Sequence, residues 1–155
     1  MLKVFLDAGH GGHDSGALGN GRRERDIALS VILKTGNMLK SHGFQVEYSR
    51  IDDVYLSPAD RAVKANRLKA DIFVLVHCNA FINQSAKGVK TFSYPGSIKG
   101  NILSKSIQAG IIASSAYTVD RGTKTSNFAV LRLTNMPAAL TELSKLCGIY
   151  NIKEC

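Results

Sequence analysis

The chain of 155 residues has no tryptophan, only three cysteines and no long apolar run. Without a stretch long enough to cross a bilayer it offers no membrane span, and its N-terminus lacks the basic segment, apolar core and small-residue cleavage site of a secretory signal. Action outside the cytoplasm would then need another export route, release on lysis, or excision from a longer exported chain. The cysteines, Cys78, Cys147 and Cys155, are odd in number and far apart, which argues against a disulfide framework or a CxxC pair and reads as reduced thiols. Acid is scarce: 12 Asp and Glu stand against 20 Lys and Arg, a net charge of +8. That balance favours polyanionic partners, of which nucleic acid and an anionic cell wall are two. Scattered basic residues, absent tryptophan and the lack of a zinc-finger spacing or an RNA-binding strand motif argue against nucleic acid, for which charge is the sole support. Internal repeats, low-complexity segments, linkers and a GxxxxGK(S/T) phosphate loop are also missing.

What is present describes a globular α/β chain. A hydrophobic content of 45% with 21% charged residues excludes a largely disordered chain. The length suits one domain, able to bury roughly 68–70% of its unfolded surface. The apolar run Leu2-Lys3-Val4-Phe5-Leu6 reads as a buried strand that delivers Asp7-Ala8-Gly9-His10-Gly11-Gly12-His13 to its carboxyl end, where open α/β sheets bind ligands. Alone, a histidine on such a loop is more often a turn residue than a ligand. Asp26 is the expected cap of a helix over about 27–41, with Ala28, Val31, Ile32 and Leu39 on one stripe and His42-Gly43 closing it. A short strand is expected from Phe44 to Arg50. Ser57-Pro58-Ala59-Asp60 opens a second helix that runs to about Lys69. The unbroken apolar strand Ile72-Phe73-Val74-Leu75-Val76 then ends at His77, so two imidazoles reach strand ends. Cys78, next along that strand, points to the opposite face and is a poor partner for a shared metal. Further strands are expected over 87–94, over 128–133 and from Pro137 to Leu143, with a third helix over about 98–115. The last strand carries Glu142 in apolar surroundings, where a carboxylate costs free energy unless it points outward or pairs with a base.

Taken together, Asp7-Ala8-Gly9-His10-Gly11-Gly12, Glu24, His77-Cys78-Asn79-Ala80 and Glu142 resemble the zinc-dependent N-acetylmuramoyl-L-alanine amidases of the Amidase_3 type. Leu56, Arg61, Ala65-Asn66, Ala70-Asp71, Arg121-Gly122 with Lys124, and Phe128-Ala129-Val130-Leu131-Arg132 follow that family's pattern in order. The resemblance covers about Leu2 to Leu143. It implies a single α/β catalytic domain with a mostly parallel twisted sheet of about five or six strands flanked by helices. It further implies one zinc ion held by His10, Glu24 and His77, with Glu142 as general base and then general acid. The implied substrate is peptidoglycan, cut between N-acetylmuramic acid and L-alanine. Two imidazoles and a carboxylate leave a fourth tetrahedral position for water, which suits a catalytic zinc site. Asn79 is expected to orient His77 or the loop, His13 to lie at the periphery or on the substrate side. Lys124 and Arg132 are candidate contacts to substrate carboxylates or an oxyanion, with a solvated surface as the alternative. The chain departs from the family after Glu142, where the usual Gly-Phe-Leu-Ser-Asn and long terminal helix give way to Leu143-Ser144-Lys145-Leu146 and an end at Cys155. A partly uncovered sheet face is the expected consequence. A zinc peptidase cutting elsewhere in the stem peptide and a non-catalytic peptidoglycan-binding domain remain the alternatives.

Overall fold

The elements follow from where the apolar runs can be buried. In the computed structural model, which describes residues 1–19, 21–78 and 88–143, strand β1 (Lys3–Ala8) is followed by a two-residue hairpin, β2 (Leu18–Gly19) and β3 (Arg22–Arg23). Next come α1 (Glu24–Ser41), β4 (Gln45–Tyr48), α2 (Pro58–Arg67) and β5 (Ile72–Cys78). The rest comprises β6 (Val89–Ser93), α3 (Ile98–Ala113), β7 (Asp120–Thr125), α4 (Ala129–Leu133) and β8 (Ala138–Leu143).

Six strands form one sheet in the order β4-β1-β5-β8-β6-β7, parallel except where β6 meets β8. Alternate residues separate two cores. Phe5, Phe73, Leu75, Ala138 and Leu140 meet Ala65 of α2 and Val130 and Leu131 of α4 on one face. Val4, Leu6, Ala8 and Val76 meet Ala28 and Ile32 of α1 on the other. That second face also carries α3, through Thr91, Thr141 and Gln108, whose side chains bond one another within the core. After β1 the chain leaves for one edge of the sheet, and after β5 for the other. Neighbouring strands whose connections diverge open a crevice at their carboxyl ends. That crevice receives His10 and His77.

Two local expectations are corrected, and one strand had none. Residues 128–133 form no strand: Phe128 caps the single turn of α4, and Arg132 N–H donates to Phe128 O at 3.0 Å. A short apolar run has no period long enough to decide between helix and strand, and burial of Val130 and Leu131 beside α2 selects the helix. Asp26 does not cap α1. The helix begins earlier, behind the β2–β3 hairpin, with Arg23 at the cap position and Asp26 held by Arg23 Nε at 2.8 Å. Strand β7, with the polar sequence DRGTKT, was not anticipated; it is an edge strand and carries no apolar alternation. Helix α2 starts as expected, with Ser57 Oγ accepting from the Asp60 amide. Asn79, Cys147, Cys155 and the atypical end after Leu143 lie outside the described residues. Among the described residues no helix is long and apolar enough to cross a membrane.

Candidate metal centre and cleft

The loop after β1 is built from backbone that side chains disfavour. His10 has φ 60°, Gly11 130° and Gly12 58°, and Gly11 and Asp14 exchange backbone hydrogen bonds of 2.9 and 3.1 Å to close a tight turn. Glycine at positions 9 and 16 is required by the imidazoles themselves. A Cβ on Gly9 would stand 2.6 Å from His77 Nε2, and one on Gly16 2.6 Å from His10 Cδ2 and 2.8 Å from Glu24 Oε2.

Glu24, in the first turn of α1 and 2% exposed, is the centre of the cluster. Its Oε1 lies 3.1 Å from His10 Nε2 and 2.9 Å from His77 Nδ1, and accepts the Cys78 amide at 2.8 Å. Its Oε2 accepts the Ala17 amide at 2.9 Å. Burial would raise the Glu24 carboxyl, but hydrogen bonds from His10, His77 and the Ala17 amide outweigh it and hold the group well below the usual carboxylate range. Burial likewise opposes the charged form of His10, yet hydrogen bonds to Glu24 and Asp14 raise its pKa above 6.5. The Cys78 thiol is pushed up to about 12, first by burial and then by the Glu24 charge.

His10, Glu24 and His77 place one ligand atom each within 4.8 Å of one another, and the three could hold a metal ion. The geometry suits one. Both imidazoles turn a nitrogen to the same carboxylate oxygen, and the remaining ring nitrogen of His10, Nδ1, sits 2.8 Å from Asp14 Oδ2. A carboxylate behind a ligating imidazole sets its tautomer and ring orientation. Asp14 was missed in the sequence, where nothing marks a polar residue in a glycine-rich turn; only the fold brings it back to His10.

Glu142 stands beside His77. His77, Glu142 and Lys90 occupy one row across β5, β8 and β6, and their strands hold them in direct register. Lys90 Nζ lies 2.7 Å from Glu142 Oε2, an ion pair in distance whose angles do not make a hydrogen bond. So the carboxylate is paired, and Lys90 is a second residue that sequence reading missed. His10, His77 and Glu142 line a cleft of about 340 Å³ with Tyr55, Leu56 and Phe128. None of the other described candidates lines it, although His13 packs on a residue that does. His13 is exposed with its ring 4.1 Å from that of Tyr55, and Lys124 is exposed on β7, paired in register with Phe92. Arg132 bonds Asn127 at 2.6 Å and lines a separate hollow of about 430 Å³ that contains neither imidazole nor carboxylate.

Residues 4–148 match the N-acetylmuramoyl-L-alanine amidase family Amidase_3. The chain belongs to that family. It is 43% identical over 148 residues to the endolysin of Bacillus phage SPP1, covering 90% of this chain and 53% of that protein. It is 39% identical over 150 residues to the sporulation-specific N-acetylmuramoyl-L-alanine amidase of Bacillus subtilis, covering 92% of this chain and 55% of the relative. The chain thus spans about half the length of these two proteins. The crystal structure of N-acetylmuramoyl-L-alanine amidase from Clostridium difficile 630 superposes with a TM-score of 0.86 at 39% identity, covering 91% of this chain and 78% of that one.

Proposed function

We propose that the chain is one catalytic domain, a zinc-dependent N-acetylmuramoyl-L-alanine amidase acting on peptidoglycan. One observation carries the reading: the two histidines of a two-histidine, one-carboxylate cluster share a single cleft with a second, separate carboxylate. Donors of this kind are those of hydrolytic zinc sites that keep a fourth position open. Bound there, zinc would supply Lewis acidity towards water and towards the scissile carbonyl. His10 Nε2, His77 Nδ1 and a Glu24 oxygen are the atoms that would hold it, with Asp14 fixing the His10 ring.

Glu142 handles the proton. A carboxylate oxygen takes it from the attacking water and delivers it to the amide nitrogen of L-alanine, so the C–N bond breaks to leave a lactyl carboxylate and a free α-amine. Lys90 holds that carboxylate in the cleft. Tyr55, Leu56 and Phe128 give the cleft an apolar wall that limits bulk water. The net charge of +8 favours adsorption to an anionic wall, and the domain reaches that wall after release, lysis or export as part of a longer chain.

The test is metal content by mass spectrometry, paired with product analysis on purified walls before and after EDTA and zinc add-back. The expected result is about one zinc per chain and EDTA-reversible appearance of stems with a new N-terminal L-alanine. A cut farther along the stem assigns a peptidase instead. Wall binding without zinc or cleavage assigns a binding domain.

A further inference from the structure

The loop that presents His10 is held by buried guanidinium groups, of which that of Arg61 borders the cleft itself. Where β1 ends, the carbonyls of Ala8, Gly9 and His10 lose the sheet as a partner, and buried carbonyls need another. Two arginines supply it. Arg61, 4% exposed, donates Nη1 to Ala8 O at 2.5 Å and Nη2 to His10 O at 2.7 Å. Arg50, 3% exposed, donates Nε to the same Ala8 O at 3.1 Å and Nη2 to Gly9 O at 3.0 Å. At the rim, Arg25 Nη1 donates to Gly12 O. The carbonyls that bracket the left-handed His10 are therefore caught in succession, and a left-handed non-glycine residue persists only where its surroundings impose it.

We propose that Arg61, with Arg50, is a positioning residue for the metal centre: its fork fixes the backbone of His10 so that Nε2 faces Glu24 and His77. The assignment rests on the metal reading above. Arg61 spends every nitrogen on this task and on its anchors, with Nε on Leu56 O at 2.9 Å and Nη1 also on Asp7 Oδ1 at 2.6 Å. Asp7 is 0% exposed and answers the charge; the fork sets the direction. A lysine would keep the charge and lose the direction.

The test measures zinc affinity by competition with a chromophoric chelator, and the visible spectrum of the cobalt-substituted protein, for wild type and Arg61→Lys. Arg61→Lys is expected to bind zinc about 10-fold or more weakly, the size of effect that partners behind a metal ligand exert, and to change the cobalt absorption. Ile32→Ala, a core substitution on the α1 face, lowers the melting temperature but leaves zinc affinity within about twofold, which separates positioning from general destabilisation. Folded Arg61→Lys with wild-type affinity and spectrum overturns the proposal. Arg50→Lys leaves the Asp7–Arg61 pair intact and carries the same two outcomes if Arg61→Lys does not fold. Wild-type protein that binds no zinc overturns the metal reading itself.

Discussion

The two walls of the cleft are built by opposite means. On the strand wall, His77, Glu142 and Lys90 stand side by side because three strands are in register, with no positive φ angle in any of them. On the loop wall, His10 depends on positive φ angles, on glycines that admit the imidazoles, and on arginines reaching from β4's end, α1 and α2. Register is shared by the whole sheet and tolerates a changed side chain. A loop held by particular contacts does not. On the proposed reading Glu142, the proton carrier, sits on the robust wall and the candidate metal ligands straddle both, so the walls should fail separately.

Glu142→Gln gives the largest effect. If Glu142 is the proton carrier proposed above, removing it without changing side-chain size should lower kcat/KM on purified walls by on the order of 10²–10⁴, the usual contribution of a positioned acid or base. Zinc affinity should stay within about twofold of wild type, because Glu142 is not among the three clustered donors. If calorimetric titration showed zinc binding lost along with activity, the two walls would be one unit and the comparison would fail.

The loop wall breaks in the other direction. Gly16→Ala places a Cβ at φ 63° within 2.8 Å of both His10 and Glu24, so zinc affinity should fall about 10- to 100-fold and stability by about 1–3 kcal/mol. Gly110→Ala is the internal control. It lies in α3 with nothing within 4 Å of the added carbon and should stabilise by about 0.4–1 kcal/mol. Denaturant melts and zinc titrations of both variants check the pair; equal zinc affinities would show that the loop yields where it is drawn as tight.

This division also decides what could be read before folding. β1, β5 and the capped start of α2 were legible, because burial on both faces leaves long runs and capping leaves a local signature at Ser57. Convergence of His10, Glu24 and His77 was reached through a resemblance; spacing alone would have left His10 a turn residue. Asp14, Lys90 and the arginine fork were not legible. Each works through a partner that only the fold supplies: Lys90 meets Glu142 across 52 positions of chain, and Arg61 meets His10 across 51. Polar β7 and the single-turn α4 carry too little periodicity for any reading.

pH sharpens the comparison further. In the metal-free protein the raised pKa of His10 makes its contribution fully present below 6.5 and lost as pH rises through the folded value. The depressed Glu24 contributes above 4.5, and that contribution is lost only as pH falls through its much lower folded value. The metal-free protein gains most from this pair between about pH 4.5 and 6.5. Zinc bound as proposed would have to displace the His10 proton, so its affinity should fall up to about tenfold per pH unit once pH drops below the raised value. The gap between zinc-loaded and metal-free melting temperatures should therefore widen from pH 5.5 to 8. A constant gap would mean that His10 carries no proton that competes with metal.

Cys78 gives the smallest effect and tests the boundary between the faces. It follows His77 in sequence, and its amide donates to Glu24 Oε1, yet its side chain is buried beside Ile27 on the other side of β5. With the thiol pushed up to about 12, almost none is thiolate at pH 8, and the thiolate is the reactive and metal-binding form. In a Cys147→Ser, Cys155→Ser background, iodoacetamide should leave the native protein unmodified and alkylate one site per chain in urea. Cys78→Ala should change zinc affinity by less than about twofold while costing roughly 1 kcal/mol of stability through the lost core contact. Rapid native alkylation, or a tenfold loss of zinc affinity in Cys78→Ala, would put the sulfur on the metal's side of the strand. The alternation of β5 would then fail at the residue where the strand wall depends on it.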